Sequence, residues 1–464
     1  MPDHTHARPT AVLVGVQLPG VDDVDHEADL AELGRLVHTL GYDLVATVSQ
    51  KRSALAAAAV VGEGKLRELG AITGGRGVVP SAAPERKNKA RARWKDEAGD
   101  GEPEEIEGTD EDDGEPHEGR PGKVDLVAVD HDISPSQARN LEKATGVQVL
   151  DRTGVIVEIF HRHARSREAK LEVEIARLNY VAPRMRETGG GGDRQRGGIG
   201  GKGAGESALE LDRRKIRDRI AELKQELALI QKEQDNRRYH RRDARRVALV
   251  GYTNAGKSSL MRALTGSDVL VADKLFATLD TTVRALHPET HPRLLVSDTV
   301  GFIKKLPHDL VASFRSTLDE AQEASLLLYV ADASDPTFRA QLQVTRTVLA
   351  EIGAHDIPSR LLLNKIDRVG EDDRARLREE FPDSIQLSAK SKDDVAALRE
   401  EIIRFFDATM VEGELLVPYA KQNLLGEIYE HARVIGEDYD EAGAHLRVKA
   451  QPSSLAKLEA LLKR

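Results

Sequence analysis

The 464-residue chain contains no cysteine, only 4% aromatic residues and no apolar run that approaches the length of a membrane span. The missing cysteines exclude a disulfide framework, a cysteine-based zinc site and a thiol nucleophile. A transmembrane helix needs about 20 consecutive apolar residues, which the sequence does not provide. Histidines and Asp3 occupy the N-terminus, where a signal peptide would place basic residues. We therefore expect a soluble cytoplasmic protein with several domains.

A phosphate-binding loop is indicated by the pattern G-x-x-x-x-G-K-S/T, which is fulfilled by Gly251-Tyr252-Thr253-Asn254-Ala255-Gly256-Lys257-Ser258. A buried strand is predicted just before this P-loop, at 246–250, and a helix just after it, from Ser259. Backbone N–H groups of such a loop surround an anion, and the helix N-terminus adds a partial positive charge. We expect Lys257 to reach the β- and γ-phosphates of a nucleotide and Ser258 to supply an oxygen to Mg²⁺.

A second motif, Asp298-Thr299-Val300-Gly301, follows the predicted strand 294–296. Its carboxylate can hold Mg²⁺, and the N–H of its glycine can meet a γ-phosphate. Many GTPases place a glutamine next to orient the attacking water, but this chain has Phe302, which cannot hydrogen-bond a water. We therefore expect slow intrinsic hydrolysis and a partner that completes the site. Asn254 could instead hold a K⁺ ion, although a residue that only stabilises the loop through side-chain hydrogen bonds is favoured.

The loop that precedes this motif should contain a threonine that senses the γ-phosphate and binds Mg²⁺. We favour Thr278, which Phe276 and Ala277 accompany as nucleotide contacts, because its ordering near the metal would switch the loop. Thr281 and Thr282 can equally be β-forming residues that open the next strand. The residues expected to act in hydrolysis are Lys257, Asn254, Thr278 and Gly301.

Two further motifs predict that the base is guanine. Asn364-Lys365-Ile366-Asp367 follows the apolar strand 361–363, and its last carboxylate can accept hydrogen bonds from N1–H and N2–H₂ of guanine. Adenine lacks this pair of donors, so a buried Asp367 would stay unpaired with ATP. Ser388-Ala389-Lys390 follows another strand and can offer a backbone N–H to the guanine O6. Together with the P-loop, these motifs predict a guanine-nucleotide domain.

The net charge of −10 argues against a nucleic-acid partner, but the distribution of charge does not. Residues 81–123 contain almost no core-forming residue and supply much of the negative charge. This segment is predicted to be a disordered insertion, and a solvated linker without a function of its own is favoured.

A two-helix arm is predicted over 156–243, because Leu171, Ile175 and Leu178 repeat at coiled-coil spacing and a second series follows from Ile216 to Ile230. The connector 188–205 is too rich in glycine for a regular element and is predicted to be a flexible, basic tip. Arginine pairs well with phosphate oxygens, so we predict that the tip contacts RNA. The predicted RNA contacts are Arg194, Arg196, Gly197, Gly198, Gly200, Gly201, Lys202 and Gly205. The arginines that flank the tip can also be a solvated helix face paired with nearby acids.

The fold class is therefore α/β, with four predicted parts. They are an N-terminal α/β domain at 8–155, the helical arm at 156–243, the P-loop GTPase domain at 244–408 and a small C-terminal α/β domain at 409–464.

The sequence resembles the HflX family of GTPases in the runs GYTNAGKSSL, KLFATLDTT, DTVGFI, NKID and GGIGGKGAGES, over most of 11–80 and 124–450. The resemblance implies a GTPase that binds the large ribosomal subunit and approaches its rRNA near the peptidyl transferase centre. It further implies a role in splitting or rescuing stalled ribosomes under stress, and ATP-linked RNA remodelling in some members. The sequence departs from the family at Gly203-Ala204-Gly205-Glu206-Ser207, where G-P-G-E-T is usual, at Thr281 in place of a proline, and in the insertion.

We therefore predict a monomeric GTP-hydrolysing factor whose GTP state favours binding to the large ribosomal subunit. One alternative is a nucleotide-gated protein that binds or remodels RNA other than the assembled ribosome. Another is a GTP-dependent protein scaffold that uses the helical arm.

Overall fold

The computed structural model describes residues 8–79, 124–185, 208–239, 245–266, 275–276, 282–304 and 320–463. The predicted insertion and the predicted tip lie outside these ranges, as does Thr278. The chain divides into two compact units, Met1–Val155 and Ile156–Arg464. No helix of the described ranges combines the length and apolar character that crossing a bilayer requires.

A four-stranded parallel sheet forms the centre of the first unit, with the strand order β2-β1-β3-β4. Its strands are β1 (Thr10–Gln17), β2 (Asp43–Lys51), β3 (Leu126–Val129) and β4 (Gln148–Asp151). The helices are α1 (Asp23–Thr39), α2 (Glu63–Thr73) and α3 (Pro135–Thr145). The predicted β-α-β alternation is confirmed, whereas helix α2 was not predicted.

A buried charge cluster in the first unit was also not predicted. Arg152, the first residue of helix α4 (Arg152–His163), is only 1% exposed. Its guanidinium donates to the Asp130 carboxylate at 2.6 Å and to the carboxylate of Glu32. These two ion pairs connect α4 to α1 and to the end of β3, and removing one member would leave buried charge uncompensated.

The predicted helical hairpin is confirmed by α5 (Arg167–Val181) and α6 (Ala208–Tyr239). Leu171, Ile175 and Leu223 are buried between the two helices. Arg167 pairs with Glu226 across the hairpin. Other pairs form along α6, namely Lys215 with Asp212 and Arg219 with Glu222. Part of the arm's positive charge is thus neutralised by acids on the arm itself.

The guanine-nucleotide domain has a six-stranded sheet of order β10-β9-β8-β5-β7-β6, in which only β6 is antiparallel to its neighbour. The strands are β5 (Arg245–Gly251), β6 (Thr282–Ala285), β7 (Leu294–Asp298), β8 (Leu326–Asp332), β9 (Ser359–Asn364) and β10 (Ile385–Gln386). The helices are α7 (Lys257–Thr265), α8 (Phe338–Glu351), α9 (Glu371–Glu380) and α10 (Lys392–Asp407). Because β5, β7, β9 and β10 are parallel, the four predicted motifs meet at one edge of the sheet.

Three antiparallel strands in the order β11-β13-β12 form the C-terminal part. They are β11 (Val411–Pro418), β12 (Ala432–Tyr439) and β13 (Gly443–Ala450), with helices α11 (Leu425–His431) and α12 (Pro452–Lys463). The sequence predicted a helix that continues through Ala432. This is wrong, because Ala432 is extended (φ −136°, ψ 152°) and opens β12.

Candidate nucleotide-binding site

The P-loop folds tightly between β5 and α7, and two of its glycines are required by close contacts. A Cβ on Gly251 would lie 2.2 Å from the carbonyl oxygen of Val330, and one on Gly256 would lie 2.2 Å from Nδ2 of Asn364. Gly256 also has a φ of +97°, which other residues rarely adopt. Helix α7 begins directly after it, so the N-terminus of the helix faces the loop as predicted.

Lys257 turns back into the P-loop. Its ammonium is buried and donates to the carbonyl oxygens of Tyr252 at 2.8 Å and Gly251 at 3.1 Å. Burial lowers the pKa of Lys257 to about 8, although the nearby Asp298 carboxylate acts in the opposite direction. The ammonium is therefore placed among P-loop carbonyls in a setting that favours a nearby anion.

The next residue, Ser258, faces the carboxylate of Asp298. The Ser258 hydroxyl donates to Oδ2 of Asp298 at 2.7 Å. Asp298 is fully buried at the end of β7, and the Thr299 hydroxyl anchors the following residue to the carbonyl oxygen of Leu249 at 2.7 Å. A hydroxyl beside a carboxylate matches the oxygen ligands that Mg²⁺ uses together with phosphates and water. Val300 is buried, and Ser259 lies in the first turn of α7.

The segment after Asp298 is joined to the P-loop as a short parallel bridge between Tyr252 and Phe302. The Thr253 N–H donates to the Phe302 carbonyl at 2.8 Å, and the Phe302 N–H donates to the Gly251 carbonyl at 3.1 Å. The Tyr252 hydroxyl accepts the N–H of Lys304 at 2.6 Å. Phe302 is only 3% exposed, so the side chain in the glutamine position is packed inside the protein.

Gly301 lies directly against the P-loop. A Cβ on it would approach Cα of Thr253 to 2.8 Å and Nζ of Lys257 to 3.0 Å. The absence of a side chain is therefore needed for this close approach, and the structure brings the predicted γ-phosphate contact next to the predicted phosphate-binding lysine.

Two side chains connect the predicted base motif to the P-loop. Asn364 donates from Nδ2 to the Ala255 carbonyl at 2.8 Å, and its Oδ1 accepts the N–H of Ala389 at 3.1 Å. Lys365 donates from Nζ to the Asn254 carbonyl at 2.8 Å. These hydrogen bonds fix the position of the base motif relative to the P-loop.

Asp367 lies where a base can reach it. Its Oδ1 accepts the Ser388 hydroxyl at 2.7 Å, and this hydrogen bond is the main cause that lowers the pKa of Asp367. Lys390 lies 3.9 Å from the other carboxylate oxygen. The carboxylate is therefore ionised at neutral pH. The sequence-based prediction assumed that the Asp367 carboxylate is buried, whereas its side chain is 39% exposed.

The backbone N–H groups predicted to face the guanine O6 all donate within the protein. The N–H of Ser388 bonds Asp394 at 2.7 Å, that of Ala389 bonds Asn364, and that of Lys390 reaches the Ser388 hydroxyl at 3.3 Å. A contact with O6 would thus require one of these bonds to be shared or replaced, and the longest of them belongs to Lys390.

Asn254 is the exposed residue of the P-loop and has a left-handed backbone conformation. Within the described part of the chain, no hydrogen bond of its exposed side chain is found, and its contribution is the left-handed φ of +60°. Asparagine tolerates this conformation better than most residues. The favoured interpretation, side-chain bonds to the loop backbone, therefore stays a prediction.

The described part of the preceding loop is Leu275 and Phe276, both buried. Phe276 has a φ of +57° and packs edge-on against Phe160 of α4, with ring centroids 4.5 Å apart. The ring of Phe276 is therefore packed in the protein, and its predicted nucleotide contact stays a prediction. Ala277 and Thr278 lie outside the described residues, as do all eight predicted RNA contacts. Thr282 opens β6, as one of the two interpretations expected.

The sequence prediction missed one residue of the site, Asp332, and it did not foresee the contact made by the hydroxyl of Tyr252 in the P-loop. The hydroxyl of Tyr252 holds the segment after Gly301, and Asp332 accepts Nζ of Lys365 at 2.7 Å. The only signal for Asp332 was its place at the end of an apolar strand, the same signal that identified Asp298.

Comparisons with known proteins cover most of the chain. Residues 27–78 and 90–161 match the family described as GTP-binding GTPase N-terminal, 163–241 match GTP-binding GTPase Middle Region, and 246–365 match 50S ribosome-binding GTPase. The chain is 64% identical over 451 residues to GTPase HflX of Gluconacetobacter diazotrophicus, covering 97% of each chain. It is 40% identical to GTPase HflX of Escherichia coli over 69% of this chain and 76% of that one.

The solved structure of a GTP-binding protein from Sulfolobus solfataricus in complex with GDP also aligns with the chain. It covers 85% of this chain and 98% of its own, with 22% identity and a TM-score of 0.42. A likeness at this level supports no further conclusion.

Proposed function

The chain belongs to the HflX family of GTPases, and from this premise we propose that it is a GTP-hydrolysing factor that binds the large ribosomal subunit in a nucleotide-dependent way. GTP hydrolase activity follows from the family. The ribosomal partner is supported by the family description that residues 246–365 match, which names 50S ribosome binding. We further propose that binding serves to split or rescue stalled ribosomes under stress.

The observation that carries the proposal is the connection between base motif and phosphate loop. Asn364 and Lys365 bond the carbonyls of Ala255 and Asn254, next to a carboxylate held by Ser388. A ligand that pairs with the Asp367 carboxylate and also fills the P-loop must carry a guanine edge and a phosphate chain. This requirement supports GTP as the substrate.

Mg²⁺ would be held by Ser258 and Asp298, with Thr278 as the proposed third protein ligand. The bound ion would neutralise charge on the β- and γ-phosphates. Lys257 supplies a second positive charge from inside the loop, and the Gly301 N–H is proposed to donate to the γ-phosphate. These residues orient the nucleotide and stabilise the charge that develops during hydrolysis.

The attacking water lacks an internal partner at position 302. Because Phe302 is buried and apolar, we propose that the ribosome orders the surrounding loops and completes the site. A K⁺ ion held by the exposed Asn254 side chain is a second proposed contribution. Turnover in K⁺ and Na⁺ buffers of equal ionic strength tests it, and equal rates would remove the ion from the mechanism.

The rRNA contact is proposed to involve the glycine- and arginine-rich tip, with Arg194, Arg196 and Lys202 as its charged residues. The support is chemical, since guanidinium and ammonium groups beside many glycines can adapt to a phosphate backbone. The tip is a better candidate for the RNA contact than the helices of the arm, because several basic residues on the described helices already pair with acids.

Cosedimentation with purified ribosomal subunits tests the proposal. We expect the protein to pellet with the large subunit in the presence of a non-hydrolysable GTP analogue and to remain in the supernatant with GDP. Binding to free RNA that ignores the nucleotide would favour an RNA-remodelling protein instead. Failure to pellet under any nucleotide would contradict the proposed partner.

A further inference from the structure

Lys365 is held between two oxygen acceptors from different parts of the guanine-nucleotide domain. Its Nζ donates to the Asn254 carbonyl at 2.8 Å and to Oδ2 of Asp332 at 2.7 Å. The Lys365 side chain is 18% exposed and that of Asp332 is 14% exposed. A charge pair with so little solvent contact is weakly screened, so each member depends on the other for stabilisation.

Asp332 is itself fixed by its local backbone. It is the last residue of β8, beside Asn364 of β9, and its Oδ1 accepts both the N–H of Ser334 at 3.0 Å and the Ser334 hydroxyl at 2.6 Å. One carboxylate oxygen is therefore used to orient the side chain, and the other is aimed at Lys365.

The carbonyl that Lys365 contacts belongs to Asn254, whose left-handed backbone conformation needs stabilising contacts. Asn254 has a φ of +60°, and Lys365 has the same left-handed value. Non-glycine residues in this region are held there by their surroundings. The chain Asp332–Lys365–Asn254 supplies such a constraint from outside the loop.

We propose that Asp332 is a positioning residue for guanine-nucleotide binding, which holds the Lys365 ammonium against the P-loop carbonyl and so keeps phosphate loop and base motif in the binding arrangement. Without the carboxylate, the ammonium would lose its counter-charge, and its hydrogen bond to Asn254 would compete with solvation. The loop would then spend less time in the conformation that accepts the nucleotide. GDP and GTP would be affected alike, because both carry the base and the β-phosphate.

Asp332→Asn is the direct test, because it keeps an oxygen for Ser334 but places an uncharged N–H₂ group, which cannot accept a hydrogen bond, where Oδ2 faces the Lys365 ammonium. We expect the dissociation constants of GDP and GTP to rise about tenfold, mainly through faster release, measured by stopped flow with fluorescently labelled GDP. The kcat at saturating GTP should change by less than about twofold, since no reacting atom is touched.

A double-mutant cycle separates positioning from a general structural role. In a Lys365→Met background, Asp332→Asn should weaken GDP binding by less than about twofold, because the group that it positions is gone. Asp335→Asn is the matched control. Asp335 lies in the same loop and caps it through Thr337 and Gln341, so its loss should leave GDP affinity unchanged.

Ser334→Ala provides a second variant in case Asp332→Asn lowers thermal stability. It removes one hydrogen bond that orients the carboxylate and should weaken GDP binding about threefold. The proposal would be overturned if folded Asp332→Asn protein bound GDP as the wild type does. It would equally be overturned if the variant lost the same affinity in the Lys365→Met background.

Discussion

Lys257, the proposed phosphate-binding residue, carries its charge in buried surroundings that disfavour the charged form. Burial lowers its pKa to about 8, and its hydrogen bonds go to two neutral carbonyls of the P-loop. A bound phosphate chain would bring full negative charge beside the ammonium and raise the pKa again. Nucleotide binding and protonation of this single residue are therefore linked.

The sign of this linkage gives a prediction for pH. Below about pH 8 the lysine is already protonated in the free protein, so binding takes up no proton, whereas above it binding must include proton uptake. We expect the dissociation constant of GDP to rise about fourfold between about pH 7 and about pH 8.5. Calorimetry in two buffers of different ionisation enthalpy measures the proton uptake directly. A constant affinity with no uptake would show that the ammonium keeps its ordinary pKa.

Asp367→Asn tests the base assignment. The amide keeps one acceptor oxygen but places a donor where guanine also has a donor, so GTP affinity should fall about a hundredfold. Xanthine carries an oxygen in place of the 2-amino group, so xanthosine triphosphate should bind better to the variant than to the wild type. Asp373→Asn, an exposed aspartate of α9 that pairs with Arg376, is the control and should change neither affinity. Unaltered GTP preference in Asp367→Asn would remove this carboxylate from the base site.

At the scale of elements, the bridge between Tyr252 and Phe302 continues the sheet beyond the end of β7. The P-loop and the segment that should respond to the γ-phosphate are thus joined by backbone hydrogen bonds and by one phenol. Any movement of the segment after Gly301 must first break these bonds. The Tyr252 hydroxyl is the one side-chain group in this set, which makes the connection accessible to mutation.

Tyr252→Phe should therefore loosen the segment without disturbing the P-loop. The N–H of Lys304 loses its acceptor at 2.6 Å, while the buried ring is retained. We expect amide hydrogen exchange at Lys304 to accelerate about tenfold, as loss of one hydrogen bond implies. Exchange within α7 is the internal control and should be unchanged. Equal protection at Lys304 in both proteins would mean that the hydroxyl does not hold the segment.

Elements with strong local signals are predictable from this sequence. Helix α3 runs from Pro135 to Thr145 as predicted, because Ser134 and Gln137 form a capping box and Gly146, with a φ of +71°, ends the helix. Strand β12 was missed because its sequence does not alternate between apolar and polar residues: Ile435 directly follows Val434, and the strand continues into the acidic Glu437 and Asp438. The contact of Asp332 could not be predicted either. It depends on β8 lying beside β9, and the order of strands in a sheet cannot be predicted from local sequence patterns.

For the whole molecule, four motifs that are far apart in the sequence meet because parallel strands deliver their carboxyl ends to one edge. The motif spacing predicted which residues assemble there, but not the exposure of Asp367 or the burial of Phe302. Those two properties depend on side-chain packing. Together they support the proposal that the site binds GTP and needs one further group from a partner to hydrolyse it.

Removal of Gly189–Gly201 tests whether the tip of the arm is needed for ribosome-stimulated turnover but not for nucleotide binding. Among the described residues, none of the side chains that form the site belongs to the arm, so GTP affinity should stay within about twofold of the wild type. Turnover stimulated by the large subunit should fall, because the proposed RNA contact is lost. Replacement by an uncharged glycine–serine segment of equal length separates charge from length. A large loss of GTP affinity would instead assign the tip a structural role.

The most direct measurement is the rate of GTP hydrolysis at increasing concentrations of purified large ribosomal subunit. We expect a low rate for the protein alone, because Phe302 is buried and cannot orient water, and a saturable rise as subunits are added. A rate that stays the same at every subunit concentration, in protein that still binds GTP, would contradict a site completed by the ribosome.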